Sequence, residues 1–269
     1  MAELLHFIPI IIFIVFPATF IATYIWSVLN QHVYPLFPNV SDTGTLPPES
    51  CLFSLMLNLT AALILFSVYI RHKEIIEVFR AKKLADTLPF SAMFNTVTTI
   101  VGLLTCVGLD LMANFQETNV LVVHGIGILL CFWGGAVYII LQTVITFWLT
   151  PEMNGLLMVC IRGFLGICLI IVMITNMVTG DLAFREFSEA HTNSSKILIW
   201  TPDLPGWKWH VVSSGCEWIL VVILGSFILS YYWDFKKITL YPPELIMYAE
   251  PQPKPVQAKR FIDLSTLAL

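Results

Sequence analysis

Long apolar runs separated by short polar stretches dominate this chain of 269 residues. A transmembrane helix needs about 20 mostly apolar residues, and six of the runs reach that length. Because only a helix satisfies its own backbone hydrogen bonds inside lipid, this alternation predicts an all-α, polytopic membrane protein. The predicted spans are residues 7–29, 51–70, 91–113, 120–147, 158–180 and 210–232.

The first apolar run is also compatible with a signal peptide. It is longer than the roughly 7–15 apolar residues typical of such peptides, and no basic segment precedes it, so we expect a retained helix. Residues 1–235 are therefore predicted to form one six-helix transmembrane domain. Beyond it, residues 236–269 carry closely spaced prolines, which predict an extended tail. These prolines are Pro242, Pro243, Pro251, Pro253 and Pro255.

The composition supports a membrane protein and narrows its partners. Hydrophobic residues make up 57% of the chain and charged residues 12%, and the mean hydropathy is +0.81. Those values are incompatible with the charged surface that a water-soluble domain needs. The net charge of −4 gives no basic surface for nucleic acid. The expected partners are membrane lipids and unidentified membrane or cytosolic proteins, and the oligomeric state stays open.

The six cysteines fall inside or near the apolar runs. An extracellular disulfide module would place its cysteines in loops, so most of these are predicted to be small buried hydrophobic residues. A bridge between Cys51 and Cys216 is possible only if the ends of the second and sixth spans meet.

Basic residues divide unequally between the two sides of the predicted bundle. Eleven Lys and Arg residues lie in the 71–90 loop, at Arg162 and in the tail, against three on the opposite side. By the positive-inside rule, both termini are predicted to be cytosolic. Arg162 is near a helix end, and we expect its long side chain to reach the lipid phosphates.

Glycosylation sequons agree with this orientation. The sequons at Asn39 and Asn193 both fall in loops on the predicted lumenal side. A third sequon, at Asn58, lies within a span and is expected to be silent. Asn39 and Asn193 are therefore the predicted glycosylation sites.

Polar side chains gather at the predicted lumenal ends of three spans. The candidate cluster consists of Asp110, Asn114, His124, His210 and Glu217. Ionisable groups are costly inside a membrane, so such a cluster suggests a pocket for a headgroup, an ion or a proton. Histidine would let that pocket change charge in an acidic lumen. Hydrogen bonding between helix ends, with no ligand, explains the same residues equally simply.

Small residues recur along the fourth span, at Gly125, Gly127, Gly134 and Gly135. Glycine allows two helix backbones to approach closely, so the pattern predicts tight helix packing. A hinge would use the same residues.

Familiar catalytic motifs are absent from the sequence. There is no Gly-x-Ser-x-Gly elbow, no Gly-x-x-x-x-Gly-Lys phosphate loop and no His-Glu-x-x-His pair. No two histidines stand four residues apart, so a helical zinc site lacks its ligands. We expect a protein that is not an enzyme, with no catalytic residues, metal or cofactor.

The polar loop before the second span reads Ser-Asp-Thr-Gly-Thr-Leu-Pro-Pro-Glu-Ser over residues 41–50. Pro47 and Pro48 are expected to stiffen the approach to the second helix. Glu49 or Ser50 is expected to cap the free amides at the start of that helix.

Three groups of residues, in this order along the chain, carry a family resemblance. The first is the loop at 41–53, with Pro47, Pro48, Glu49, Ser50 and Cys51. The second is Ala-Asn-Phe-Gln at 113–116, followed by His124 and Gln142. The third comprises 210–213, 216–218 and Asp-Phe at 234–235. Together they resemble the damage-regulated autophagy modulator (DRAM) family over roughly residues 7–240.

The resemblance implies a lysosomal or endosomal multi-pass membrane protein that promotes autophagy, with a link to cell death. The wider family includes plasma-membrane relatives linked to mechanosensitive currents, and distant members that remodel GPI-anchor lipids. A lipid-handling factor and a plasma-membrane channel regulator are therefore the alternatives. The Ser-Asp-Thr-Gly-Thr run favours the autophagy branch, and the resemblance carries over no catalytic residue.

Overall fold

Six long helices make up most of the protein. The computed structural model describes residues 4–82, 89–190 and 199–240, and these ranges contain helices but no β-strand. The helices are α1 (Phe7–Leu29), α2 (Glu49–Ala81), α3 (Ser91–Asn114), α4 (Leu121–Ile128), α5 (Gly134–Trp148), α6 (Leu156–Ala190), α7 (Trp207–Leu229) and α8 (Tyr232–Phe235). A π-helical turn at Leu129–Trp133 joins α4 to α5 in one span, and α8 extends α7. Six helical stretches are long and apolar enough to cross a membrane, which confirms the all-α, six-span prediction.

Two helices are much longer than their predicted spans. α2 has 33 residues, about 50 Å at 1.5 Å per residue, and continues through the basic segment that we expected to be a loop from residue 71. α6 has 35 residues and likewise continues past residue 180. Hydropathy marks only where the apolar run ends, whereas Glu, Lys and Arg are good helix formers that carry the helix beyond it.

The six spans form a closed ring. α2 packs against α1 and α3, α3 packs against α4 and α5, α5 packs against α6, and α7 lies between α6 and α1. Many large apolar side chains on the outside of the ring are exposed, among them Ile14, Leu55, Val97 and Ile167. An apolar exterior of this kind is what a helix bundle presents to lipid.

The two ends of the ring carry different connections. We call the end where residues 30–48 join α1 to α2 the first-loop end, and the opposite end, which holds the C-terminus of α2 and α8, the tail end. The predicted extended tail lies outside the described residues from residue 241 onward.

Glycines bring α3 and α4 into close contact, as the sequence predicts. A Cβ atom on Gly127 would lie 2.6 Å from the backbone nitrogen of Met112, and one on Gly108 would lie 2.4 Å from that of Cys131. Gly125, by contrast, has nothing within 4 Å of such an atom. Close helix packing therefore explains why residue 127 is glycine, but it does not explain the glycine at position 125.

All six cysteines are free thiols in the described structure. Cys106, Cys131 and Cys216 are buried, as expected of small apolar residues, whereas Cys51 and Cys160 are exposed. The possible bridge between Cys51 and Cys216 is not formed.

Candidate functional site

The first loop folds over the end of the bundle as a compact cap, which we define as residues 38–46. Three of its polar side chains are buried, with Asp42 only 7% exposed, Thr45 only 3% exposed and Thr43 fully buried. The Thr43 hydroxyl donates to the carbonyl of Val40 at 2.8 Å and lies 3.0 Å from the hydroxyl of Thr23 in α1. A Cβ atom on Gly44 would lie 2.3 Å from the ring of Phe53, so this position of the cap requires glycine.

Glu49 ties the loop to the end of α1. Its carboxylate accepts a hydrogen bond from the side-chain amide of Asn30 and lies 2.9 Å from Nδ1 of His32. Helix α2 begins after Pro48 and has no side-chain cap, so the predicted capping role of Glu49 or Ser50 is wrong. The physical reason is that the Glu49 carboxylate points to α1, while Ser50 makes no bond to the free amides.

Helix α7 holds the cap from the other side. The Glu217 carboxylate accepts a hydrogen bond from the backbone amide of Val40 at 2.8 Å. The Ser214 hydroxyl donates to the Asn39 side-chain oxygen at 2.6 Å, and the Trp218 indole donates to the carbonyl of Pro38 at 3.2 Å. Three consecutive cap residues are therefore fixed by one helix face.

Asp42 lies inside the cap, close to two other acids. Burial is the main cause that raises the pKa of the Asp42 carboxyl well above its usual range, and the negative charges of Glu117 and Glu217 raise it further. Hydrogen bonds from the backbone and side chain of Asn39 oppose the rise. The cap therefore contains a carboxyl group that holds its proton more strongly in the folded protein than in the unfolded chain.

His124 lies beneath the cap at the start of α4 and is only 2% exposed. Its Nδ1 atom is 2.8 Å from the carbonyl oxygen of Phe115. His124 and Glu217 line a common cavity of about 40 Å³ below Val40 and Ser41, which we call the cap cavity. Two residues of the predicted polar cluster are thus brought to one site.

The other three members of that cluster lie elsewhere. Asp110 and Asn114 are exposed on the outside of α3, where Asn114 exchanges hydrogen bonds with Asn58 of α2. His210 is buried against the loop before α7, with its ring stacked on Trp200 at 4.5 Å. We grouped these residues because their positions in the sequence predict a similar depth in the membrane. In the structure they face in different directions around their helices, so they lie apart. Asp42, whose carboxyl is affected by the charges of Glu117 and Glu217, was missed because it lies in the loop before the second span. Glu117 follows Asp110 and Asn114 at helical spacing, but it was not included in the candidate cluster.

Of the two predicted glycosylation sites, Asn39 is half-buried and its side-chain oxygen accepts the bond from Ser214. Asn193 lies outside the described residues. Glycosylation at both positions stays a prediction.

A second group of charged residues lies at the tail end of the bundle. This charge cluster consists of Arg71 and Glu74 on α2, Arg162 on α6 and Asp234 on α8. All four side chains are 0% exposed. The Asp234 carboxylate pairs with Arg71 at 2.6 Å through one oxygen and with Arg162 through the other. Glu74 accepts a further bond from Arg71 at 2.9 Å.

Polar neighbours complete the charge cluster. Arg162 donates to the Thr146 hydroxyl at 2.6 Å and to the Ser230 hydroxyl at 2.9 Å, and Asn154 donates to Asp234 at 2.8 Å. Both guanidinium groups lie over the ring of Tyr231, at 5.6 Å and 5.0 Å from its centroid. A buried charge needs such paired and hydrogen-bonded surroundings.

The charge cluster corrects our expectation for Arg162. We expected its side chain to reach the lipid phosphates, but it turns inward because Asp234 supplies a buried carboxylate. The sequence held a signal for this pairing, since Asp234 is the one acid between residues 230 and 240 and follows the sixth span directly.

Comparison with known proteins identifies the relatives of the chain. Residues 4–238 match the family described as Frag1/DRAM/Sfk1/Cwh43P N-terminal domain. The chain belongs to this family. The match covers every helix of the DRAM-like bundle, including the cap, His124 and the charge cluster.

Several curated relatives share most of the chain. DNA damage-regulated autophagy modulator protein 2 of Rattus norvegicus is 33% identical over 88% of this chain and 85% of its own length. DNA damage-regulated autophagy modulator protein 1 of Homo sapiens is 35% identical over 87% of this chain and 92% of its own. The Modulator of macroautophagy TMEM150B-B of Xenopus laevis is 31% identical over 70% of this chain and 66% of its own. No solved structure gives a significant match.

Replacing Asp234 by asparagine tests the charge cluster. The substitution leaves two buried guanidinium groups without their shared carboxylate, so we expect a loss of about 3–5 kcal/mol in the free energy of unfolding. Denaturant titration of the purified protein in detergent measures this loss. Asp181→Asn is the matched control, because the Asp181–Arg185 pair is more than half exposed on both sides and its loss should cost less than about 1 kcal/mol. Equal effects of the two substitutions would contradict the assigned role of the cluster.

Replacing Asp42 by asparagine tests the buried acid of the cap. Above about pH 4 the unfolded chain releases this proton while the folded cap retains it, so the stability of the cap falls as the pH rises toward the raised pKa. Asp42→Asn removes that dependence. At neutral pH we expect the variant to be more stable than the wild type, because only the wild-type unfolded chain is stabilised by releasing the Asp42 proton. Thermal unfolding in detergent between about pH 4 and 7.5 measures the two slopes.

Asp203→Asn is the control for this pH series. Asp203 is exposed, and hydrogen bonds from the Thr201 side chain and from its own backbone lower its pKa. Its replacement should therefore give no gain in stability at neutral pH. An Asp42→Asn protein whose melting temperature follows the wild-type pH profile would contradict the burial of a protonated Asp42.

Proposed function

We propose that this protein is a lysosomal membrane modulator of autophagy. The observation that supports the proposal most strongly is the family match over residues 4–238, together with relatives that are themselves named autophagy modulators. The structure adds that several of the family-like residues lie at two places: the cap with His124 beneath it, and Asp234 in the charge cluster.

A regulatory role fits these relatives better than an enzymatic one, because they are named modulators. The cap offers a means of regulation. Its polar residues make specific hydrogen bonds to α1 and α7, so a partner or a change of conditions can act on a defined structure. We expect the function to depend on the cap rather than on a reaction at one residue.

The lysosomal location is supported by the charge distribution and by Asp42. The positive-inside rule directs the cap toward the lumen and the charge cluster toward the cytosol. A protonated Asp42 makes the cap more stable in an acidic compartment than at neutral pH. A cap that becomes more stable as the pH falls suits an acidic lumen better than the neutral medium at the cell surface.

A lipid-handling role is the second candidate. The cap cavity supports it, because His124 and Glu217 share that cavity with apolar side chains of α1, α2 and α7. Under this proposal the polar residues would contact a headgroup. The two roles are compatible, since a lipid can act as the signal that a modulator reads.

Autophagic flux in cells that lack the protein tests the proposed function. Flux, measured with and without a lysosomal inhibitor, should fall on deletion and recover with the wild-type chain. Glu217→Ala removes the acceptor of the Val40 amide at a cost of about 1–3 kcal/mol, which corresponds to roughly a 5- to 150-fold loss of the closed cap. We therefore expect this variant to restore flux poorly, although it reaches lysosomes in normal amounts.

Two matched variants control that measurement. Glu217→Gln keeps an oxygen that accepts from Val40 and should restore most of the flux. Glu189→Gln, at an exposed position of α6, should behave as the wild type. Normal flux after deletion, with the protein at the cell surface, would contradict the proposed function. Full rescue by Glu217→Ala would show that the cap is not its site.

A further inference from the structure

A second cavity lies at the centre of the bundle. It has a volume of about 50 Å³, and we call it the central cavity. Its walls come from α1, α2, α3, α5 and α7 and are mostly apolar, and three glycines, Gly102, Gly135 and Gly225, are among the lining residues. Apolar space of this kind accepts a hydrocarbon chain and offers little to a polar molecule.

The two cavities have walls in common. Phe16 of α1, Cys131 of the π-helical turn and Leu224 of α7 line both of them. The polar space under the cap therefore adjoins the apolar space in the bundle centre at these three side chains. A π-helical turn is a frequent feature of functional sites, and here it supplies Cys131 and Phe132 to the cap cavity.

The free nitrogen of His124 defines the chemistry at the polar end. A carbonyl oxygen only accepts hydrogen bonds, so the 2.8 Å contact to Phe115 requires that Nδ1 carries the hydrogen. In the neutral ring, Nε2 is therefore an acceptor. It is buried and has no hydrogen-bond partner among the described residues. A ligand group that meets it must donate a hydrogen bond.

The charges near the cap cavity select against an anionic headgroup. Glu217 lines the cavity, and it is close enough to Asp42 and Glu117 for the three acids to act on one another. Among the described residues, no Lys or Arg side chain lines this cavity. A carboxylate or phosphate would therefore meet acceptors and negative charge, whereas a hydroxyl or an ammonium group would meet acceptors that it can satisfy.

The cavity volumes limit the size of the ligand. At roughly 10–15 Å³ for each water-sized atom, the cap cavity holds about three such atoms and the central cavity about four. That space fits a small headgroup followed by about six carbons. Longer chains would have to continue between the helices into the surrounding lipid.

We propose that the cap cavity and the central cavity form one site for a single-chain amphiphile. Its hydrogen-bond-donating headgroup, a hydroxyl or an ammonium, binds at His124 and Glu217, and its first carbons occupy the centre of the bundle. This inference goes beyond the role in autophagy and does not depend on it.

A photoreactive octanol with a diazirine in its chain tests the site. Irradiation of the purified full-length protein in detergent, followed by peptide mass spectrometry, should place saturable labelling on residues that line the two cavities, such as Cys131 and Leu224. Unlabelled octanol and octylamine should compete for this labelling at neutral pH. Octanoate should compete about tenfold less well, because its carboxylate cannot donate to His124.

Two substitutions and one control sharpen the test. A Cβ atom on Gly135 would lie 3.5 Å from Leu224, an ordinary contact, so Gly135→Val should fold and fill the central cavity. Gly163→Val makes a similar contact, 3.6 Å from Thr143, but lines neither cavity. We expect Gly135→Val to abolish the saturable labelling and Gly163→Val to leave it unchanged. His124→Phe keeps a ring but removes the acceptor, so it should weaken competition by octanol about tenfold.

Each contrary result would overturn the proposed site. Labelling spread over the lipid-facing surface, without saturation, would mean that the probe only dissolves around the bundle. Labelling that persists in Gly135→Val would exclude the central cavity, and equal competition by octanoate would exclude a donor headgroup. None of these readouts involves autophagy, so they leave the proposed function to its own test.

Discussion

The arrangement of the helices depends on the ion pairs that the Asp234 carboxylate makes with Arg71 and Arg162. This carboxylate lies between two buried guanidinium groups, Arg71 from α2 and Arg162 from α6, and thereby joins three spans that are far apart in sequence. Desolvating these charges is costly, so each is tolerable only when the others are in place. An apolar core of the same volume could be equally stable, but it would not specify which helices meet. We infer that the charge cluster contributes specificity by selecting the closed ring over other packings of six apolar helices.

The opposite end of the bundle is built on a different principle. There the cap is held by many short hydrogen bonds to α1 and α7, and its buried acid favours the protonated form. Because Asp42 holds its proton more strongly in the folded cap than in the unfolded chain, the stability of the cap depends on pH. Between the two ends, glycines bring α3 and α4 together, and an apolar cavity lies in the bundle centre.

The number of spans and their helical structure could be predicted from the sequence. A helix that crosses the membrane needs about 20 apolar residues, and this can be recognised in each segment without knowing its neighbours. The sequence did not predict the helix ends at Ala81 and Ala190, since charged residues that form helices well extend both beyond the apolar runs. The candidate site was predicted in part. His124 and Glu217 line one cavity, whereas Asp110 faces outward. The depth of a residue in the membrane follows from its position in the sequence, but the direction in which it faces around the helix axis does not. Arg162 shows the same limit, since its partner is 72 residues away.

We propose that the cap faces the lumen of an acidic organelle and that the charge cluster lies on the cytosolic side. Cysteine accessibility in purified, intact lysosomes tests it most directly. Leu36→Cys in the first loop and Arg80→Cys at the tail end both place the thiol at exposed positions, in a chain whose exposed Cys51 and Cys160 are replaced by serine. A membrane-impermeant maleimide should label Arg80→Cys in intact lysosomes and Leu36→Cys only after permeabilisation. Labelling of Leu36→Cys in intact lysosomes, with Arg80→Cys protected, would contradict the account.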